Sequence, residues 1–135
     1  MNEQLRGQVR QRAHDRCEYC GMPQHALPYL VLHVDHIIAK QHVDEASDDL
    51  ESLAWACSEC NSFKGTDIAA HPPGSDEIVP LFNPRTVAWK DHFFWEGAVL
   101  RGKTPIGFAT IELLRTNQRE RVDHRQLLMQ LGLWT

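Results

Sequence analysis

Apolar residues recur at four-residue spacing at Leu5, Val9 and Ala13, which predicts a short amphipathic helix over residues 3–16. Tyr29–His36 is rich in aliphatic and β-branched residues and reads as a strand. Gln41–Glu51 is a polar loop, and the apolar run Leu53–Ala56 reads as the partner strand of a hairpin. A short helix is expected over Cys60–Lys64, stopped near Gly65, with a loop at residues 71–76. Further on, Ile78–Phe82 reads as a strand and Asn83-Pro84 as a turn. His92–Glu96 and Ala98–Arg101, flanking Gly97, suggest a second hairpin. Thr104-Pro105 is a good cap and first-turn pair for a helix carrying Ile106, Ala109, Ile111, Leu113 and Leu114. A last helix runs through Val122, Leu127, Leu128 and Leu131, with Gly132 as its C-terminal stop. There is no internal repeat or low-complexity tract, and the mix of hairpin strands and helices reads as an α+β fold.

The 135 residues suit one ordinary domain, and 42% hydrophobic with 24% charged residues excludes wholesale disorder. No apolar run approaches the roughly 20 residues that span a bilayer. The polar start, MNEQLRGQVRQR, shows no secretory signal, so a cytoplasmic chain with no membrane partner is expected. The net charge of −4 argues against a protein that coats nucleic acid by bulk electrostatics. Five of the acidic residues, Asp44, Glu45, Asp48, Asp49 and Glu51, crowd into one short stretch that reads as a solvated loop. Arg6, Arg10, Arg12 and Arg16 give the N-terminus a basic surface, either tracking phosphates or forming a solvated helix face. The aromatic residues Trp55, Trp89, Trp95, Phe93 and Phe94 read as core.

The cysteines change the picture most. They come as two pairs, Cys17-Glu-Tyr-Cys20 and Cys57-Ser-Glu-Cys60. Each short turn presents two thiolates to one metal, and the doubled spacing suits a tetrahedral Zn²⁺. Disulfides and redox chemistry are the weaker readings in a chain without a secretory signal. A Cys₄ site is closed and therefore structural. Its binding energy, about 10–16 kcal/mol in zinc-finger peptides, couples directly to folding and would staple a small core.

Between the knuckles lies His33-Val34-Asp35-His36, and directly after the second lie Asn61 and Lys64. If the two strands pair and the helix opened by Cys60 packs across them, Asp35, His36 and Asn61 converge. Carboxylate and amide oxygens are hard ligands for Mg²⁺ or another divalent ion. A neutral imidazole beside them could take a proton from water attacking phosphorus. Lys64 is a candidate for phosphate contact. His33 shares a strand face with Asp35 and is a weaker substrate-binding candidate, and His42 is an outside candidate for a ligand.

HVDHIIAK followed by SDDLESLAWACSECNSFKG resembles the HNH endonuclease family over about positions 17–66. The resemblance implies a ββα-metal (His-Me finger) core at about 13–68 with two zinc knuckles. The whole chain then reads as a single domain, 1–135, whose C-terminal extension, about 76–135, is a β-hairpin plus helices. It implies that Asp35 and Asn61 hold one catalytic divalent ion, that His36 is the general base, and that Cys17, Cys20, Cys57 and Cys60 bind structural zinc. It implies hydrolysis of DNA phosphodiester bonds. One site cuts one strand, so a double-strand break needs a homodimer or two successive events. Ser52 departs from the family pattern, because an Asn usually stands there and braces the loop carrying the base. A zinc-stapled DNA-binding module that no longer cuts is the alternative.

Overall fold

A computed structural model describes residues 2–26, 30–38 and 49–134. Tyr29 and most of the expected acidic loop, including His42, Asp44, Glu45 and Asp48, lie outside the described residues. The chain divides into two compact units, Met1–Ile68 and Ala69–Thr135.

In the first unit, α1 spans Glu3–Arg12, β1 Leu32–His36, β2 Leu53–Cys57 and α2 Ser58–Lys64. One-turn 3₁₀ segments at Gln24–Ala26 and Leu50–Ser52 connect them. Asn2 starts α1 by accepting the Leu5 N–H on its side-chain oxygen at 2.7 Å. The helix stops four residues short of the expected end. His14 and Asp15 both adopt left-handed backbone, with φ of 56° and 58°, which turns the chain toward the first cysteine. β1 and β2 pair antiparallel, with His36 opposite Leu53, Asp35 opposite Ala54 and Leu32 opposite Cys57. All five residues of β2 are buried. Its remaining edge is covered by the first knuckle. The Glu18 N–H donates to the Trp55 carbonyl at 2.8 Å, and the Trp55 N–H donates to the Glu18 carboxylate at 2.8 Å. Val9, Leu32, Leu53 and Trp55 form the centre of this small core. α2 begins two residues earlier than expected, so Cys60 sits inside the helix.

In the second unit, β3 (Ala69–Ala70) pairs with β4 (Val79–Pro80) and β5 (Phe93–Glu96) with β6 (Val99–Gly102), both antiparallel. The helices are α3 (Trp89–His92), α4 (Pro105–Leu113) and α5 (Arg119–Gln130). The strand expected over 78–82 shrinks to two residues because Pro80 has no N–H for a ladder, and the Phe82 N–H turns to the Thr110 hydroxyl at 2.9 Å. Thr104 caps α4 through the Gly107 N–H. Gly107 allows the close packing of α4: a Cβ there would lie 2.2 Å from the His92 carbonyl oxygen. Phe93 is buried against Trp89, which in turn lies beside Trp95, and Trp95 meets Trp134 edge to face. Phe94, expected in the core, is instead 43% exposed, because the hairpin alternates its faces and puts Phe94 opposite Arg101 on the outer one. Among the described residues, no helix is long and apolar enough to cross a membrane.

Candidate functional site

The four cysteines converge. Their sulfurs all lie within 4.8 Å of one another, and all four residues are buried. A Zn–S bond of about 2.3 Å gives a tetrahedron with edges of about 3.8 Å. The Cys20 and Cys57 sulfurs, one from each knuckle, stand 3.7 Å apart. Both knuckles make the same local bond: the Cys20 N–H donates to Cys17 Sγ, and the Cys60 N–H to Cys57 Sγ, each at 3.4 Å. In the first, Gly21 supplies the turn with φ of 79°, and its N–H donates to the Cys17 carbonyl at 2.9 Å. In the second, Cys57 ends β2 and caps α2.

Without a cation, this packing disfavours thiolate. Burial, then the neighbouring thiols, push Cys17 well above its ordinary range. For Cys60 the contact with Cys17 acts downward, but Cys20, Cys57 and burial outweigh it and the thiol is raised well above its ordinary range. Four buried sulfur donors within 4.8 Å of one another fit Zn²⁺, whose charge would reverse that preference.

Beside the knuckles lies a second buried cluster. Asp35, on β1, is 4% exposed, and Lys64, at the end of α2, is 2% exposed. The Lys64 ammonium stands 3.4 Å from Asp35 Oδ1 and 3.3 Å from Oδ2. It also donates to the Ile37 carbonyl at 3.0 Å and the His36 carbonyl at 3.4 Å. A carboxylate and two carbonyls match the three N–H groups of an ammonium. Lys64 therefore faces inward and pins the end of β1, rather than standing at the surface where a phosphate contact was expected. Tyr19, the third residue of the first knuckle and 3% exposed, donates its hydroxyl to Asp35 Oδ2 at 2.6 Å. Burial raises the Asp35 pKa, opposed by Lys64 and the Tyr19 hydroxyl, which favour the carboxylate. Burial and then the Asp35 charge raise the Tyr19 phenol well above its usual range, so it stays a donor.

His36 follows Asp35, half-buried at the end of β1. Its backbone is held on both sides. Lys64 bonds its carbonyl, and the Ile37 N–H donates to the Ser52 carbonyl at 3.0 Å. Asn61 lies on α2 one turn before Lys64, half-buried, on the helix that reaches Asp35 through that lysine. Ser52 closes its 3₁₀ turn: both its N–H and hydroxyl donate to Asp49 Oδ1, at 3.1 and 3.0 Å. His33 bonds the Ser58 hydroxyl at 3.0 Å at the start of α2. The four arginines are engaged within the unit. Arg6 lies over the Trp55 ring and donates to the Leu32 carbonyl, Arg10 pairs with Asp15, Arg12 donates to the Leu50 and Leu53 carbonyls, and Arg16 to the Gly21 carbonyl. Tyr19 was not singled out from the sequence. The available signal was its place inside a knuckle whose cysteines must be buried, which buries the phenol and obliges it to find an acceptor.

No curated protein and no solved structure matches the chain. Residues 17–67 match the family model described as HNH endonuclease, a span that begins at Cys17 and ends just past Lys64. With the four-cysteine cluster and the Asp35-His36 pair both inside that span, the chain carries an HNH endonuclease-family domain at residues 17–67.

Proposed function

We propose that this chain is a divalent-metal-dependent endonuclease that hydrolyses DNA phosphodiester bonds, with β1, β2 and α2 as a ββα-metal finger. The observation that carries this reading is the placement of Asp35, His36 and Asn61 on elements clamped together by Lys64, inside the family-matched span. Asp35 and Asn61 would hold the catalytic ion. They are oxygen donors of the hard type, and a carboxylate has about four lone-pair sites, so Tyr19 and Lys64 leave Asp35 lone pairs with which to ligate a cation. When bound, such an ion supplies stabilisation of charge on the phosphate and the leaving oxygen.

The chain's own residues do the rest. Lys64 favours the Asp35 carboxylate against its burial, which raises the pKa, and the Tyr19 hydroxyl bonds one of its oxygens. The His36 imidazole accepts a proton from the attacking water, and its anchored backbone fixes where that nitrogen stands. Cys17, Cys20, Cys57 and Cys60 would hold a zinc ion with no open position, which would tie together the two knuckles, and with them β2 and α2.

One observation favours a second reading, a DNA-binding module that does not cut: both oxygens of Asp35 already have protein partners at 4% exposure. A titration of Mg²⁺ or Mn²⁺ into zinc-loaded protein separates the two. Nuclease chemistry predicts metal-dependent nicking, with Asn61→Ala needing about 10-fold or more extra metal for half-maximal rate. Salt-sensitive DNA binding with no product at any metal concentration supports the second reading.

A further inference from the structure

We infer that Arg12 is a positioning residue for His36, acting as a two-pronged clamp on the turn that backs it. The inference rests on the reading of His36 as the general base. Arg12 is the last residue of α1, half-buried, far in sequence from everything it touches. Its Nη1 donates to the Leu50 carbonyl and its Nη2 to the Leu53 carbonyl, both at 2.6 Å. These two carbonyls flank Ser52, so one rigid guanidinium fixes both ends of the turn Leu50–Ser52. Asp49 closes the same turn from the other end through Ser52.

The turn in turn holds the base. The Ser52 carbonyl accepts the N–H of Ile37, the residue directly after His36, at 3.0 Å. Leu53, bonded by Arg12, is the strand partner of His36. Charge-assisted bonds at these distances are the strong class. A planar fork also transmits orientation, which a point charge cannot do. The path from Arg12 to His36 is therefore short and continuous: guanidinium, Leu50 and Leu53 carbonyls, Ser52 carbonyl, Ile37 amide.

The test uses the full zinc-loaded chain, with Arg12→Ala and Arg12→Lys beside wild type. Plasmid nicking is measured in Mg²⁺ or Mn²⁺ together with amide hydrogen exchange at Ile37. The clamp predicts a fall in kcat of about 10–10²-fold in both variants, since small misplacements of reacting groups cost that much. It predicts KM within about twofold of wild type. It predicts Ile37 exchange faster by roughly tenfold or more, with zinc content unchanged. Restoration of activity by Arg12→Lys, with the Ala defect confined to KM, would make Arg12 a phosphate contact and overturn the inference. Unchanged exchange at Ile37 would overturn it whatever the rates do. If wild type does not nick DNA, the base assignment fails, and the exchange measurement still decides whether Arg12 clamps the turn. If Arg12→Ala loses zinc, Arg12→Lys carries both readouts.

Discussion

Asp35 shows how one carboxylate is prepared for work in a dry place. Burying it alone would drive it toward the neutral acid. Lys64 and Tyr19 oppose that, and each is itself buried, so the three groups depend on one another. Breaking a buried pair from one side leaves an uncompensated charge. Lys64→Met is therefore expected to destabilise the first unit by about 3–5 kcal/mol in urea unfolding of the zinc-loaded protein. A surface lysine waiting for phosphate would change stability by no more than about 0.5 kcal/mol. The four-cysteine cluster is legible in the sequence because its doubled spacing is itself the chemistry, whereas the roles proposed for Asp35, His36 and Asn61 rest on the family resemblance. The inward turn of Lys64 is not visible. Lysine is usually solvated, and only the carboxylate and carbonyls delivered by β1 make its burial favourable.

At the scale of elements, the two knuckles and the two strands form one construction. Each knuckle orients a pair of sulfurs by its own N–H···S bond, and the first is also sewn to β2 by Glu18. Metal-free, the arrangement is costly to ionise. The folded thiols at Cys17 and Cys60 have raised pKa values. Their contribution to the stability of the metal-free fold is full below the unfolded thiol pKa and is lost as pH rises through the folded values. Zinc binding works in the opposite sense, because it requires thiolates and expels protons. Zinc uptake at pH 7 is expected to release nearly one proton per cysteine, counted with a pH indicator, and zinc affinity is expected to weaken as pH falls. Uptake without proton release would contradict a thiolate site. The hairpin and the capped helix at Thr104 are legible from β-branched runs and cap residues. The early end of α1 is not, since nothing in the residue types of His14 and Asp15 requires left-handed backbone. That conformation turns the chain into the first knuckle, just before Cys17.

At the scale of the whole molecule, the two units differ in how far their sequence can be read. Residues 17–67 carry both the family match and the candidate site. In Ala69–Thr135, the elements are largely those expected, but the packing rests on features with no motif. The Asn117 side-chain amide bonds both the N–H and the carbonyl of Leu100. Arg125 is buried, donating to the Ala98 and Thr116 carbonyls beneath Trp95. Such contacts depend on three-dimensional neighbours and leave no periodic trace.

The central claim is that His36 does general-base chemistry on DNA. The most direct measurement is plasmid nicking by the zinc-loaded chain in Mg²⁺ or Mn²⁺, with a zinc-loaded His36→Ala variant of unchanged thermal stability beside it. The account predicts relaxed or linear product from wild type only with added divalent metal, and a rate about 10²–10⁴-fold lower in the variant. Equal cleavage by the two proteins at matched metal would contradict it.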